Sequence, residues 1–121
     1  MSDDEKGYRR LRVWQEAHAL TLLVYRVTKQ FPKDELFGLT SQIRRAIVSV
    51  AANIVEGQTR SSKKEFAQFL RIANGSLVEV EYYIGLAFDL GYIEEKTKDL
   101  LYGKQKLIGV LLHKFIFSLT H

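Results

Sequence analysis

Residues Phe31 to Gly57, FPKDELFGLTSQIRRAIVSVAANIVEG, constrain this chain more than any other stretch. They hold the only proline, then Gly38, then a long helical pattern. At about 100° per residue, Gln42, Arg45, Ser49, Asn53 and Glu56 fall within roughly 80° of one another. Leu39, Ile43, Ala46, Ile47, Val48, Val50, Ala51, Ala52, Ile54 and Val55 fill most of the remaining circumference. A surface helix ordinarily shows the reverse, an apolar stripe and a broad polar back. The pattern therefore predicts a helix with neighbours on most sides and one thin polar seam.

The rest of the chain reads as helices that supply those neighbours. With 121 residues, 46% hydrophobic and 26% charged, the chain suits one core. Residues 1–9 read as a disordered tail and residues 10–121 as a single domain. Val13, Ala17, Leu20, Val24, Val27 and Phe31 mark the inner face of a first helix starting near Arg10. Trp14, His18, Leu22 and Tyr25 form a second side that also expects burial. Pro32 ends that helix. Thr40 or Ser41 offers a cap for the second helix, and Gly57 marks its end. Ser62-Lys63-Lys64-Glu65 has capping-box spacing and opens a third helix that runs to about Leu90. Its predicted core face is Phe66, Phe69, Leu70, Ala73, Leu77, Val80, Ile84, Ala87 and Phe88. Gly91 stops it, and a fourth helix runs from about Glu94 to Leu119. Short links predict an all-α, up-down-up-down antiparallel four-helix bundle.

No chemistry of a familiar kind is written in the sequence. There is no cysteine, so disulfides and thiolate metal sites are excluded and a cytoplasmic setting is expected. His18, His113 and His121 pair with no carboxylate in the Glu-x-x-His spacing that di-metal bundles use. Glu79 and Glu81, two apart on a helix, point in different directions. Phosphate-loop and nucleophile-elbow motifs are absent. Neither catalytic residues nor a cofactor or metal are expected. The ten uncharged residues Ala46 to Val55 are too few to span a bilayer.

Charge points elsewhere. The net charge is +4, and residues 1–72 carry 13 Lys/Arg against 8 Asp/Glu. Arg9, Arg10 and Arg12 cluster at the start of the first helix; Arg60, Lys63 and Lys64 cluster where the third begins. Lys64 and Arg71, seven apart, share one outward face. In an antiparallel bundle the first and third helices start at the same end, so these residues are candidates for one nucleic-acid-binding surface. The seam of Gln42, Arg45, Ser49, Asn53 and Glu56 reads as a structural network, in which Arg45, Asn53 and Glu56 satisfy one another.

Phe31-Pro32, Glu35, Phe37-Gly38-Leu39, Gln42, Arg45-Ala46, Ser49, Asn53-Ile54, Glu56-Gly57 and Ile72-Ala73-Asn74-Gly75-Ser76-Leu77 carry a further signal. The chain from Leu11 to about Leu119 resembles the 23S rRNA intervening-sequence proteins, a family that includes the accessory variability protein of diversity-generating retroelements. The resemblance implies a four-helix bundle assembled as a homopentameric barrel, without recognised enzyme activity. It also implies nucleic acid, and in the retroelement branch a reverse transcriptase, as partners. Five copies at +4 would carry +20. The competing reading is a protein-assembly scaffold that binds no nucleic acid.

Overall fold

A computed structural model describes residues 7–121. Four helices dominate: α1 (Arg12–Thr28), α2 (Leu39–Gln58), α3 (Lys63–Asp89) and α4 (Glu95–Thr120). Short 3-10 turns at Gly7–Arg10 and Lys33–Glu35 precede α1 and α2. Each helix packs on its chain neighbours and α4 closes back on α1, while the backbones of the diagonal pairs stay apart. One end gathers Phe31, Glu35 and Tyr92 from the α1–α2 and α3–α4 links. The other brings Phe66 of α3 against Phe115 of α4 and Gly57 of α2. The four helices therefore run alternately up and down.

The core lies along the bundle axis. Leu20, Ile47, Leu70, Leu77, Ile108 and Leu112 are completely or almost completely buried there, with contributions from all four helices. On α1 the predicted face is buried apart from Val27, and Thr28 joins it by donating its hydroxyl to the Val24 carbonyl at 2.7 Å. On α3 the aromatic members Phe66, Phe69 and Phe88 are only half-buried, while Ala67 and Ser76 are buried in their place. Small residues here let α3 approach its neighbours closely. Glycines 103 and 109 do not interrupt α4, which is regular throughout.

The helix ends correct three sequence expectations. Neither Thr40 nor Ser41 caps α2. Gly38 occupies the cap position, and the Glu35 carboxylate accepts from the Leu39 N–H at 3.1 Å. A Cβ on Gly38 would lie 2.7 Å from that carboxylate oxygen, so the glycine makes room for the cap. Gly57 does not end α2, which runs through it to Gln58. Its role is close approach: a Cβ there would lie 2.9 Å from both Phe66 Cδ1 and Phe69 Cβ. Third, the tail assigned to residues 1–9 lies outside the described residues up to position 6, and Gly7–Arg10 is a 3-10 turn.

Two signals hold as read. Ser62 accepts from the Glu65 N–H at 3.1 Å, the first half of the capping box. At the end of α3, Tyr92 N–H donates to the Ala87 carbonyl and Gly91 N–H to that of Phe88, both at 2.9 Å. With Gly91 at φ 80°, this is a Schellman stop.

Gly57→Ala tests the α2–α3 approach. Overpacking against Phe69 Cβ costs about 1–3 kcal/mol, more than the ~1 kcal/mol that alanine returns in helix preference. The urea midpoint is expected to fall; a midpoint equal to or above the parent's contradicts the close packing.

Candidate functional site: the basic end and the polar seam

The end of the bundle where α1 and α3 begin carries most of the predicted cations. Arg9 and Arg10 sit in the 3-10 turn that packs beside the end of α2, and Arg12 opens α1. From Gln58 the chain crosses Thr59 and Arg60 to reach Lys63 and Lys64 in the first turn of α3. All six side chains are exposed. Arg71 is exposed two turns further along α3 and donates to Gln68 at 3.4 Å. The fold thus brings the two clusters to one end and leaves Arg71 up the side.

These cations are not equivalent. Arg60 pairs with Glu56 at 3.2 Å, and its guanidinium carbon lies 4.6 Å from the centre of the Phe69 ring. Arg9 lies over Tyr8 and Trp14, at 5.6 and 5.8 Å from the ring centres. Trp14 in turn stacks on His18 and is half-buried, but the burial expected for the second side of α1 does not extend further within the single chain, where His18, Leu22 and Tyr25 are exposed. Arg10, Arg12, Lys63 and Lys64 enter no ion pair among the described residues. Two helix N-termini and two helix C-termini meet at this end, so their dipoles largely cancel and side chains set the field.

The seam of α2 divides in two. Ser49 and Asn53 are half-buried against α3, where the Ser49 and Ser76 hydroxyls lie 2.8 Å apart. Asn53 donates to the Ser49 carbonyl at 2.8 Å and to its hydroxyl at 3.1 Å. Gln42, Arg45 and Glu56 are exposed. The expected mutual satisfaction of Arg45, Asn53 and Glu56 does not occur: Glu56 takes Arg60, one turn away, while Asn53 turns to Ser49. Arg45 makes no hydrogen bond or ion pair among the described residues.

Several polar contacts escaped the sequence reading. Arg44 donates from Nε to Thr28 Oγ1 at 2.8 Å and lies 4.6 Å above the Tyr25 ring, tying α2 to α1. Buried Gln105 donates to the Leu77 carbonyl at 3.4 Å. Ser76 was visible, since it interrupts an apolar helical stripe at a core position. Nothing local foretold Tyr92, which donates to Glu35 at 2.7 Å across 57 positions of sequence. That bond, with the Leu39 N–H, holds the Glu35 carboxyl below its ordinary range and raises the Tyr92 phenol. Burial, then the charges of Glu81 and Asp89, raise the Tyr102 phenol. Among the described residues no group of three or more His, Asp or Glu is placed to hold a metal ion. No described helix is long and apolar enough to cross a membrane.

Comparison with known proteins bears on the family and the fold. Residues 9–114 match the family described as 23S rRNA-intervening sequence protein. The chain belongs to that family. A crystal structure of a protein of unknown function from the S23 ribosomal protein family of Bacteroides thetaiotaomicron is also similar. It shares 25% identity at a TM-score of 0.80, over 86% of this chain and 94% of that one. No curated protein matches. The 23S rRNA-intervening sequence match takes in Arg9, the seam and Lys63 to Arg71, and ends within α4.

The Glu35–Tyr92 bond makes stability pH-dependent at both extremes. Glu35, lowered in the fold, contributes above the ordinary carboxylate range, and that contribution is lost as pH falls through its folded value. Tyr92, raised in the fold, contributes below the ordinary phenol range, and that contribution is lost as pH rises through its folded value. Tyr92→Phe should shrink the acid-side loss and remove this alkaline-side loss in urea midpoints measured against pH. A variant whose pH profile matches the parent's contradicts the linkage.

Proposed function

We propose that this 23S rRNA-intervening sequence family member is a non-enzymatic, ring-forming bundle that holds structured RNA or DNA on its basic end. The observation that carries the reading is the group Arg10, Arg12, Lys63 and Lys64, exposed at one end without acidic partners among the described residues. Among the described acids near this end, Glu56 takes Arg60 and Glu65 accepts from Ser62, while Glu16, one turn from Arg12, forms no ion pair with these cations. Phosphate contacts would supply the affinity, with little reading of bases. Assembly in a ring, five copies by the family resemblance, would repeat the surface and make individually weak contacts add through multivalency. A reverse transcriptase or another protein would then meet nucleic acid on the assembled particle in the cytoplasm.

Labelled structured RNA and duplex DNA, titrated at 50 and 200 mM salt, test this reading. With four phosphate contacts per chain, affinity should fall on the order of 100-fold between the two conditions. Reversing Lys63 and Lys64 to Glu should flatten the salt slope by about two. Absence of saturable binding at low salt contradicts nucleic-acid binding and leaves the scaffold reading.

A further inference from the structure

Two opposite edges of the bundle are left apolar at the surface and differ in charge. The α1/α2 edge forms a groove of about 420 Å³ in which Tyr25, Leu36, Phe37 and Val48 stand beside Arg44 and Arg45. Phe37 is 93% exposed, an extreme value for an aromatic side chain on a short link between two helices. Arg44 is held by Thr28 and Tyr25, whereas Arg45 has no hydrogen-bond or ion-pair partner among the described residues. The α3/α4 edge forms a depression of about 350 Å³ lined by Val78, Glu81, Tyr82, Gly85, Asp89 and Tyr102. Tyr82 is 65% and Val78 57% exposed. Glu81 and Asp89 form no ion pair among the described residues, and Lys106 lies in the adjoining depression.

We propose that these edges are the two halves of one contact: the α1/α2 edge of one copy docks on the α3/α4 edge of the next. The inference rests on the ring-forming reading above and assigns its surfaces. Charge complementarity selects a second copy as the occupant. An unpaired arginine within an apolar groove meets two unpaired carboxylates within an apolar depression, and one chain carries both. Height along the bundle agrees. Arg45 lies six residues from the start of α2, ~9 Å along the axis at ~1.5 Å per residue. Measured from the same end, Asp89 is the last residue of α3, and Glu81 is ~12 Å along. Arg45 of one copy thus falls between Glu81 and Asp89 of the next without sliding one bundle along the other. A head-to-tail contact without axial rise closes into a ring when the rotation from copy to copy divides a full turn, and it rules out a rising helical filament.

Light scattering on four proteins tests the assignment: the parent, Arg45→Glu, the pair Glu81→Arg with Asp89→Arg, and all three changes together. The substituted positions are exposed, and far-UV circular dichroism checks that each variant stays helical. The parent should be a discrete multiple of 14.0 kDa. Each single-edge variant should fall to 14.0 kDa, and the triple variant should return to the parent's mass. An assembled parent whose single-edge variants keep its mass overturns the edge assignment and leaves the ring reading standing. A parent at 14.0 kDa overturns both.

Discussion

The contact between α2 and α3 is the most extensive in the bundle, and it depends on how closely two backbones lie. At the basic end Gly57 has no side chain because Phe66 and Phe69 occupy the space. Near the middle, Ser49 and Ser76 replace apolar bulk with a short hydroxyl contact, and Asn53 closes the local network. A hydroxyl pair of this kind contributes little net stability when satisfied, but leaving one member alone in a half-dry site costs about 1–3 kcal/mol. It therefore favours one register of α2 on α3 over its neighbours. The positions of Arg60, Lys63 and Lys64 follow, because the short α2–α3 link ties them to the end of α2.

The second consequence concerns the outside of α2. Its inner face is covered by α1 and α3, yet Val48 and Ala52 remain exposed beside Arg45. Across the bundle, Val78 and Tyr82 remain exposed on α3. Scattered apolar residues on a surface need no explanation. Exposed aromatics gathered with valines and unpaired charge on two defined edges do. Assembly gives both edges a purpose and leaves the basic end clear for an anionic partner.

Much of this was legible in the sequence because helical periodicity reports burial directly. Val13, Ala17, Leu20 and Val24 on α1 and Leu70, Ala73, Leu77 and Val80 on α3 follow from spacing alone, as do the cap at Ser62 and the stop at Gly91. What spacing does not report is the partner of a polar group. Arg45 and Glu56 are eleven apart, too distant along a helix to pair, so Glu56 turned to Arg60 one turn away. Arg44, outside the seam, proved to be the cation that joins α1 to α2. Gly57 stands where a helix-ending glycine belongs, yet its cause lies on another helix, in Phe66 and Phe69. The basic clusters were readable as a shared end because that needs only the alternation of the helices.

The central claim is that the exposed apolar edges of one chain are covered by another, and side-chain labelling in solution tests it most directly. Hydroxyl-radical footprinting should compare Phe37 and Tyr82, 93% and 65% exposed in the single chain, between the parent protein and the Arg45→Glu variant. The account predicts that both side chains label more slowly in the parent, where a second copy covers them. Equal labelling of both in the two proteins would contradict it.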